Sequence, residues 1–271
     1  MKYAKRLRER FPSLTLIPED LFFLESFQIK YLPDRAPQKE FAVLLHAIPI
    51  IKQFLISKYP PIEPFINSII KKYKPLNNQI LINEYCRELL WEIADLIIFN
   101  KYPEVFDSHA NFNWDINEIL PAKSLAEKIV IDAGAGSGRI AFLAAPFAKT
   151  VFAVEPVSAF RNFIREKAKK EEVHNLFAID GFLDSIPLPD SSADILITSN
   201  AIGWNLSAEL EEIERIVKSG GLAIHLMRNL NLKIENPFHD ILISAKWKYA
   251  FKEYENSTEI KLKYSKIINK K

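Results

Sequence analysis

The fold of this chain is decided by the stretch Lys128-Ile129-Val130-Ile131-Asp132-Ala133-Gly134-Ala135-Gly136-Ser137-Gly138-Arg139. In it an apolar run ends at an acidic residue, and three glycines follow at alternate positions. This pattern predicts a buried strand that opens into a tight turn, with a helix beginning near Arg139. Glycines in such a turn let backbone amides approach a ligand with no Cβ in the way, and the start of the helix points at the same place. We therefore predict that this turn binds a ligand.

Two other glycine-rich loops fit these residues less well. The dinucleotide-binding fingerprint requires a glycine where Arg139 stands, and no Gly-Lys-Ser/Thr follows that would make a phosphate-binding P-loop. A glycine-rich turn with a purely structural role, in an α/β domain of some other kind, remains an alternative interpretation.

An acidic residue follows the second predicted strand. The run Thr150–Val154 is rich in β-branched and aromatic residues, which indicates a buried strand, and Glu155 comes next. A carboxylate at this position can accept hydrogen bonds from both hydroxyls of a ribose. Pro156 then turns the chain into a helix predicted over Ser158–Lys170. A single acid at the end of a strand is often only a solvated residue or a helix cap.

A third acidic residue follows the third predicted strand, Asn175–Ile179. Asp180 can accept a hydrogen bond from the amino group of an adenine, and the nearby Phe182 can pack on the base. Because the carboxyl ends of neighbouring parallel strands meet at one edge of a sheet, Asp132, Glu155 and Asp180 are expected to line one ligand site.

The motif from Asp132 to Gly138 resembles the first motif of class I S-adenosylmethionine-dependent methyltransferases. The segments Ser185–Ser199 and Glu211–Ile224 are similar to the corresponding loop, helix and strand segments of the UbiE-like, type 11 methyltransferases, and the resemblance extends from Ile129 to about Met227. Departures from the family pattern occur at Ala193, at Ser219 and in Asn200–Trp204. They concern the acceptor side more than the cofactor side.

The resemblance implies a Rossmann-like, seven-stranded, mostly parallel sheet with a terminal antiparallel hairpin, and S-adenosyl-L-methionine as the cofactor. The residues that it implies for cofactor binding are Asp132, Gly134, Gly136, Gly138, Glu155, Asp180, Gly181, Phe182 and Asn200. It assigns no catalytic residue and no metal ligand. The implied reaction is in-line methyl transfer to an unidentified acceptor.

The end of the chain independently predicts the hairpin. After a short helix over Pro237–Ala245, the segments Trp247–Tyr254 and Thr258–Ile267 alternate apolar with charged residues around the turn Glu255-Asn256-Ser257. Periodicity supports this topology but does not specify the order of the strands.

Residues 1–120 contain no glycine and many prolines, and they predict an all-helical region that precedes the sheet. The helical patterns cover residues 18–29, 37–59, 61–73 and 77–99. We therefore predict two domains, a helical cap or substrate region over 1–120 and a cofactor-binding core over 121–271. The helical region is expected to cover the acceptor pocket and to select a small, largely apolar molecule.

Composition indicates a globular protein, with 48% hydrophobic and 26% charged residues among 271. The single cysteine, Cys86, excludes an intramolecular disulfide framework and a Cys-rich zinc site, and it suits the cytoplasm. The apolar stretch Phe41–Ile56 is interrupted and too short to span a bilayer, so a buried helix and no transmembrane segment are expected.

The net charge of +2 argues neither for nor against nucleic acid. Residues 228–271 hold 10 basic against 5 acidic residues, so an RNA or protein methyltransferase that uses this basic region is the first alternative to a small-molecule enzyme. The second is an NAD(P)-linked oxidoreductase or a non-catalytic interaction module with the same sheet. The sequence does not predict the oligomeric state.

The loop Asp107–Asp115 supplies further candidates, because such loops often carry function. His109 is a weak candidate for a general base, and Phe112 and Trp114 are candidates for aromatic residues of a lid. His225 lies inside the fifth predicted strand and is expected to be a core histidine.

Overall fold

The computed structural model describes residues 2–109, 114–229, 238–255 and 260–270. The chain divides into two compact units, Met1–Ala110 and Asn111–Lys271. The division comes earlier than the boundary predicted at residue 120, because Trp114 and Ile119 belong to an apolar core whose other members lie in the second unit. The functional roles of the two regions stay predictions.

The regular elements of the first unit, across residues 2–109, are helices. The α-helices are α1 (Lys2–Arg10), α2 (Ser26–Ile29), α3 (Leu32–Arg35), α4 (Gln38–Ala47), α5 (Pro49–Lys58), α6 (Glu63–Lys72), α7 (Gln79–Glu92), α8 (Ala94–Lys101) and α9 (Pro103–Ser108). Short 3-10 helices cover Pro18–Phe23 and Pro60–Ile62. Proline occupies the first turn of several of these helices, where its missing N–H breaks no helical hydrogen bond.

Helices that the sequence predicts as continuous are divided. The pattern over residues 37–59 predicts one helix, but Pro49 begins a new one. Proline lacks the N–H that would continue α4 and disfavours helical dihedrals at the preceding residue, and Ile48 has φ of −130° and ψ of 77°. The pattern over residues 77–99 also divides, at Ile93, whose φ of −116° and ψ of 18° depart from helical geometry.

The core of the first unit consists of buried aromatic and aliphatic side chains, among them Phe41, Leu44 and Leu89. Cys86 belongs to the same core, and burial raises the pKa of its thiol. Among the described residues, none of the individual helices has the length and apolar content that crossing a membrane requires. The pair α4 and α5 meets that requirement only when both are counted together across a bend of 110°.

The second unit is an α/β domain. Its strands are β1 (Ile129–Ala133), β2 (Thr150–Val154), β3 (Leu176–Ile179), β4 (Ala193–Ser199), β5 (Val217–Asn229), β6 (Ala250–Glu255) and β7 (Ile260–Ile267). Its α-helices are α10 (Ile116–Ile119), α11 (Arg139–Ala144), α12 (Ser158–Lys170), α13 (Leu206–Ile216) and α14 (His239–Ile243), and a 3-10 helix covers Ala122–Leu125.

The strands form one seven-stranded sheet in the order β3-β2-β1-β4-β5-β7-β6. The pairs from β3 to β5 are parallel, and β7 is antiparallel to both β5 and β6. This confirms the predicted fold class. The bounds of β2 and α12 are those predicted. Residues 256–259, with most of the predicted hairpin turn, and Phe112 lie outside the described residues.

The sheet separates two apolar cores, because consecutive strand residues point to opposite faces. Val130 and Ile195 lie in one core, and their chain neighbours Ile131 and Leu196 lie in the other. Along the sheet, the connections run in opposite directions on either side of the β1–β4 pair. Such a reversal leaves a crevice at the carboxyl ends of the strands, where ligands of this architecture bind.

Candidate functional site

The predicted site residues lie at the carboxyl ends of four neighbouring strands. The glycine-rich turn follows β1, Glu155 follows β2, Asp180 follows β3 and Asn200 follows β4. The strand order places these ends side by side along one edge of the sheet. The structure therefore brings the predicted residues to a common edge of the sheet. They differ in their hydrogen-bond partners and in their exposure to solvent.

The turn after β1 uses the conformational freedom of its glycines. Gly134, Gly136 and Gly138 have φ of +70°, +54° and +81°, in the left-handed region. The Gly134 amide donates to the Val154 carbonyl at 2.9 Å. A Cβ at Gly134 would lie 2.4 Å from the Cβ of Ala201, in the loop after β4. Both the backbone angle and the close approach of this second loop therefore require glycine at position 134.

Asp132 is a buried carboxylate beneath this turn. Its Oδ2 accepts a hydrogen bond from the Ala141 amide at 2.9 Å. The pKa of Asp132 is raised to about 7, chiefly by burial and also by the negative charge of Glu155, while the bond from Ala141 acts in the opposite direction. A positively charged group bound beside Asp132 would favour its ionised form.

Glu155 joins the turns that follow β1 and β2. Its Oε2 accepts from the Gly136 amide at 2.7 Å, and its Oε1 accepts from the Val157 amide at 2.9 Å. The residue is buried. Each oxygen of an ionised carboxylate accepts more than one hydrogen bond, so these two amides are compatible with further bonds from ligand hydroxyls.

Arg161 links the ends of β2 and β3, and the sequence reasoning missed it. Its Nη1 donates to the carbonyls of Glu155 at 2.8 Å and Pro156 at 2.6 Å. The same nitrogen lies 3.0 Å from Oδ1 of the exposed Asp180. The sequence did contain a signal for this role. Arg161 lies one turn into the predicted helix that follows Glu155, and that helix leads to the strand that ends at Asp180. Arg161 thus orients the backbone of one predicted site residue and the carboxylate of another.

The remaining predicted residues lie after β3 and β4. Phe182 is exposed, and Gly181 is closely packed, since a Cβ there would lie 2.6 Å from Cδ of Pro187. Asn200 has φ of +52°, and its amide donates to the Leu226 carbonyl at 2.9 Å. The chain therefore turns sharply as it leaves β4.

The other sequence candidates have different surroundings. Trp114 is buried and packs edge-on against Tyr254, with ring centroids 5.6 Å apart, so it is a core residue and not an exposed lid aromatic. His225 is buried in β5 as expected, with Nδ1 2.9 Å from Oγ1 of Thr198. His109 ends α9 in the first unit, and its role as a base stays a prediction.

Comparison with known families concerns the central part of the chain. Residues 131–225 match the family model described as a methyltransferase domain. This match confirms the resemblance to the type 11 methyltransferases that the sequence motifs indicated.

Named relatives match the chain over part of its length. A stretch of 130 residues is 27% identical to the malonyl-[acyl-carrier protein] O-methyltransferase of Yersinia pestis and covers 46% of this chain and 47% of that protein. A stretch of 112 residues is 30% identical to a probable S-adenosylmethionine-dependent methyltransferase of Saccharomyces cerevisiae and covers 39% of this chain and 38% of that protein. The match thus spans about half the length of these curated relatives, or less.

Solved structures similar to this chain include one from Pyrococcus horikoshii OT3 and one from Aquifex aeolicus. The crystal structure of the PH0226 protein from Pyrococcus horikoshii OT3 is 19% identical, with a TM-score of 0.48 over 60% of this chain and 97% of that chain. That of a SAM-dependent methyltransferase from Aquifex aeolicus is 15% identical, with a TM-score of 0.46 over 60% of this chain and 97% of that chain.

Proposed function

We propose that this chain, of which residues 131–225 form a methyltransferase domain, is an enzyme that transfers a methyl group from S-adenosyl-L-methionine to a small-molecule acceptor. The observation that carries the proposal is the arrangement at the ends of β1 and β2. There the Gly136 amide, the buried Asp132 and the carboxylate of Glu155 lie together at the crevice of the sheet. The name of the Saccharomyces cerevisiae relative supports the same cofactor.

The donor set at this edge fits the chemistry of that cofactor. Among the described residues, the groups that shift the pKa of Asp132 include no cation, and a bound ammonium group would favour its charged form. Glu155 has acceptor capacity for the ribose diol. The exposed Asp180 suits an adenine amino group, and the exposed Phe182 suits the face of the ring. The proposed cofactor site is completed by the backbone at Gly134, Gly136, Gly138, Gly181 and Asn200.

The reaction requires positioning more than acid–base chemistry. When bound, the cofactor supplies a methyl carbon that carries a good leaving group. A lone pair of the acceptor forms the new bond as the sulfur–carbon bond breaks, and any acceptor proton passes to solvent. This chain's residues hold the two reactants in line, and such alignment supplies much of the rate enhancement. We assign no catalytic residue.

A carboxylic acid is the acceptor class that we favour. The Yersinia pestis and Serratia marcescens relatives are named as O-methyltransferases of malonyl-[acyl-carrier protein]. A carboxylate is already ionised at neutral pH, so its oxygen attacks without a general base. The assignment of the helical residues 1–120 to acceptor selection stays a prediction.

An RNA acceptor is less favoured because the lysines of β7 are bound to neighbours within the second unit. Lys261 lies 2.6 Å from the Glu118 carboxylate, and Lys263 donates to the Glu118 carbonyl at 2.9 Å. Lys266 pairs with Glu214. Phosphate binding uses cations that face the nucleic acid, whereas these ammonium groups already have acceptors.

The proposal includes a cytoplasmic location. The chain has one cysteine, Cys86, which is buried, and reduced cysteines are the rule in reducing compartments. Fractionation of the source cells tests this part of the proposal separately from the activity.

Thermal denaturation with S-adenosylhomocysteine, S-adenosylmethionine and NAD tests the cofactor assignment. At a ligand concentration about 100 times the dissociation constant, binding adds roughly 2.7 kcal/mol of stability, so the first two ligands should raise the melting temperature clearly. A shift with NAD alone, or no shift at about 1 mM of either S-adenosyl compound, would contradict the proposal. Transfer of labelled methyl groups to a panel of carboxylic acids, acyl thioesters, phenols and RNA then identifies the acceptor class.

A further inference from the structure

The loop after β4 carries an aromatic side chain that the proposed cofactor site does not use. Trp204 is 67% exposed, whereas Trp91, Trp114 and Trp247 are 8%, 5% and 5% exposed. A single exposed apolar residue is ordinary on a protein surface. Whether Trp204 has a role in binding therefore depends on how firmly its loop is held and on where the loop lies.

Glu209 holds the backbone of this loop. Its Oε2 accepts from the Gly203 amide at 2.7 Å, and its Oε1 accepts from the amides of Trp204 at 3.0 Å and Asn205 at 2.9 Å. Glu209 is buried in the first turn of α13, where the helix dipole favours a negative charge. Three consecutive amides bonded to one buried carboxylate leave the loop little conformational freedom.

Two further contacts fix where the loop lies. Gly203 has φ of +115°, and a Cβ there would lie 2.2 Å from Cζ of Phe238, so the loop is seated closely on this ring. The side chain of Asn205 donates to the Asp184 carboxylate at 3.3 Å, which joins the loop to the turn after β3 that carries Phe182. Trp204 is thus presented on a rigid backbone at the carboxyl edge of the sheet.

We propose that Trp204 binds the apolar part of the methyl acceptor and that Glu209 is the positioning residue that holds the Trp204 loop in place. This inference rests on the proposed function, because an acceptor must approach the methyl group at the carboxyl edge. An indole on a preorganised loop offers a large apolar contact at little cost in conformational entropy. It suits the hydrocarbon chain or ring of a carboxylic acid.

The test uses the full chain saturated with S-adenosylhomocysteine, with octanoate and cyclohexanecarboxylate, which do not fluoresce, as probes. Because the other tryptophans are buried, the fluorescence that acrylamide quenches comes mainly from Trp204. At least one probe should protect this emission, and W204F should lack the quenchable component. W204A should weaken the calorimetric affinity for that probe by tenfold or more, with S-adenosylhomocysteine affinity within about twofold of wild type.

The matched control is F147A, which removes an exposed aromatic between α11 and β2, at the opposite edge of the sheet. It should change neither affinity. Equal loss of probe affinity in W204A and F147A would overturn the inference.

A second variant tests the positioning role. E209Q keeps the shape of the side chain but turns an amide group toward backbone N–H donors. It should increase the acrylamide quenching of Trp204 and weaken probe binding, while S-adenosylhomocysteine affinity stays near that of wild type. E211Q, at an exposed position of the same helix, is its control and should behave as wild type.

The outcomes separate the two proposals. If S-adenosylhomocysteine binds but neither probe protects Trp204, or if W204A and E209Q bind the probes normally, the inference is overturned and the proposed function stands. If the wild-type protein does not bind S-adenosylhomocysteine, the proposed function falls, and the inference falls with it.

Discussion

Asp132 should make cofactor binding depend on pH. Its pKa is about 7 in the free protein, and an ammonium group beside it would lower that pKa. Protonation then competes with binding, so S-adenosylhomocysteine affinity should rise from about pH 5.5 to about pH 7 and level off above that range. Calorimetric titrations across this range measure the effect. D132N should bind more weakly with a flatter profile, and an equally steep profile in D132N would exclude Asp132 as its source.

The same carboxylate affects the stability of the free protein in the opposite direction. Its folded pKa lies above the ordinary value of 3.8, so the folded state binds the proton more tightly than the unfolded state does. The stabilising contribution is full below about pH 3.8 and is lost as the pH rises to about 7. Between these values the free energy of unfolding of D132N should decline less with rising pH than that of wild type.

Glu155 should be needed both for the cofactor and for the turn. E155A removes the acceptor of the Gly136 and Val157 amides as well as that of the proposed ribose hydroxyls. Hydrogen bonds to charged acceptors contribute about 1.5 to 3 kcal/mol each, so S-adenosylhomocysteine affinity should fall by tenfold or more. E166A, at an exposed position on α12, is the control. Normal binding by a folded E155A protein would place the ribose contact elsewhere.

His225 should lower the acid stability of the protein. Burial lowers its pKa from 6.5 to about 3, so the folded state keeps the ring neutral where the unfolded state becomes protonated. Its contribution is full above pH 6.5 and is lost as the pH falls toward 3, by up to about 1.4 kcal/mol per pH unit. H225Q should therefore lose less unfolding free energy than wild type between about pH 6.5 and pH 4.5. Parallel losses in denaturant titrations of both proteins would refute this.

At the scale of elements, the turn after β1 packs against the loop after β4. A methyl group added to the turn at position 134 should therefore disturb both. G134A adds a Cβ that would lie 2.4 Å from Ala201 at a φ of +70°, whereas G220A meets a φ of +80° with no atom within 4 Å. G220A should lose only about 1 to 2 kcal/mol, the usual strain of a left-handed residue. G134A should lose more and should also bind S-adenosylhomocysteine more weakly. Denaturant unfolding and calorimetry of both variants measure the difference, and equal behaviour would mean that the contact between the two loops has no consequence.

At the scale of the whole molecule, the segment that precedes β1 belongs to the core of the second unit. Trp114, Ile119 and Leu120 are buried there among residues of the sheet. A fragment of residues 122–271 lacks them, and loss of one buried tryptophan alone removes about 3 to 5 kcal/mol. That fragment should be much less stable and less soluble than a fragment of residues 111–271. Equal unfolding free energies of the two fragments would show that this segment contributes nothing to the core.

Local patterns were enough to predict several elements and to place the candidate site residues at the ends of strands. The bounds of β2 and α12 follow from runs of apolar and helix-forming residues, and the acids at the strand ends follow from where those runs stop. The three glycines of the first turn were recognisable because a turn with left-handed backbone angles favours glycine at positions close together in the chain. These features depend on residues close in sequence, so the sequence by itself determined them.

Other features were decided only by tertiary structure, because they depend on residues far apart in the chain. A family resemblance implied a seven-stranded, mostly parallel sheet, but the order of its strands is known only from the structure. Periodicity says which face of a strand is buried but not which strand lies beside it. Arg161 acquires its role only when the ends of β2 and β3 are adjacent, and Trp114 is in the core only because Tyr254 packs against it. Position 134 shows both levels at once: the sequence marks a turn there, but the packing of Ala201 against it is a property of the folded chain.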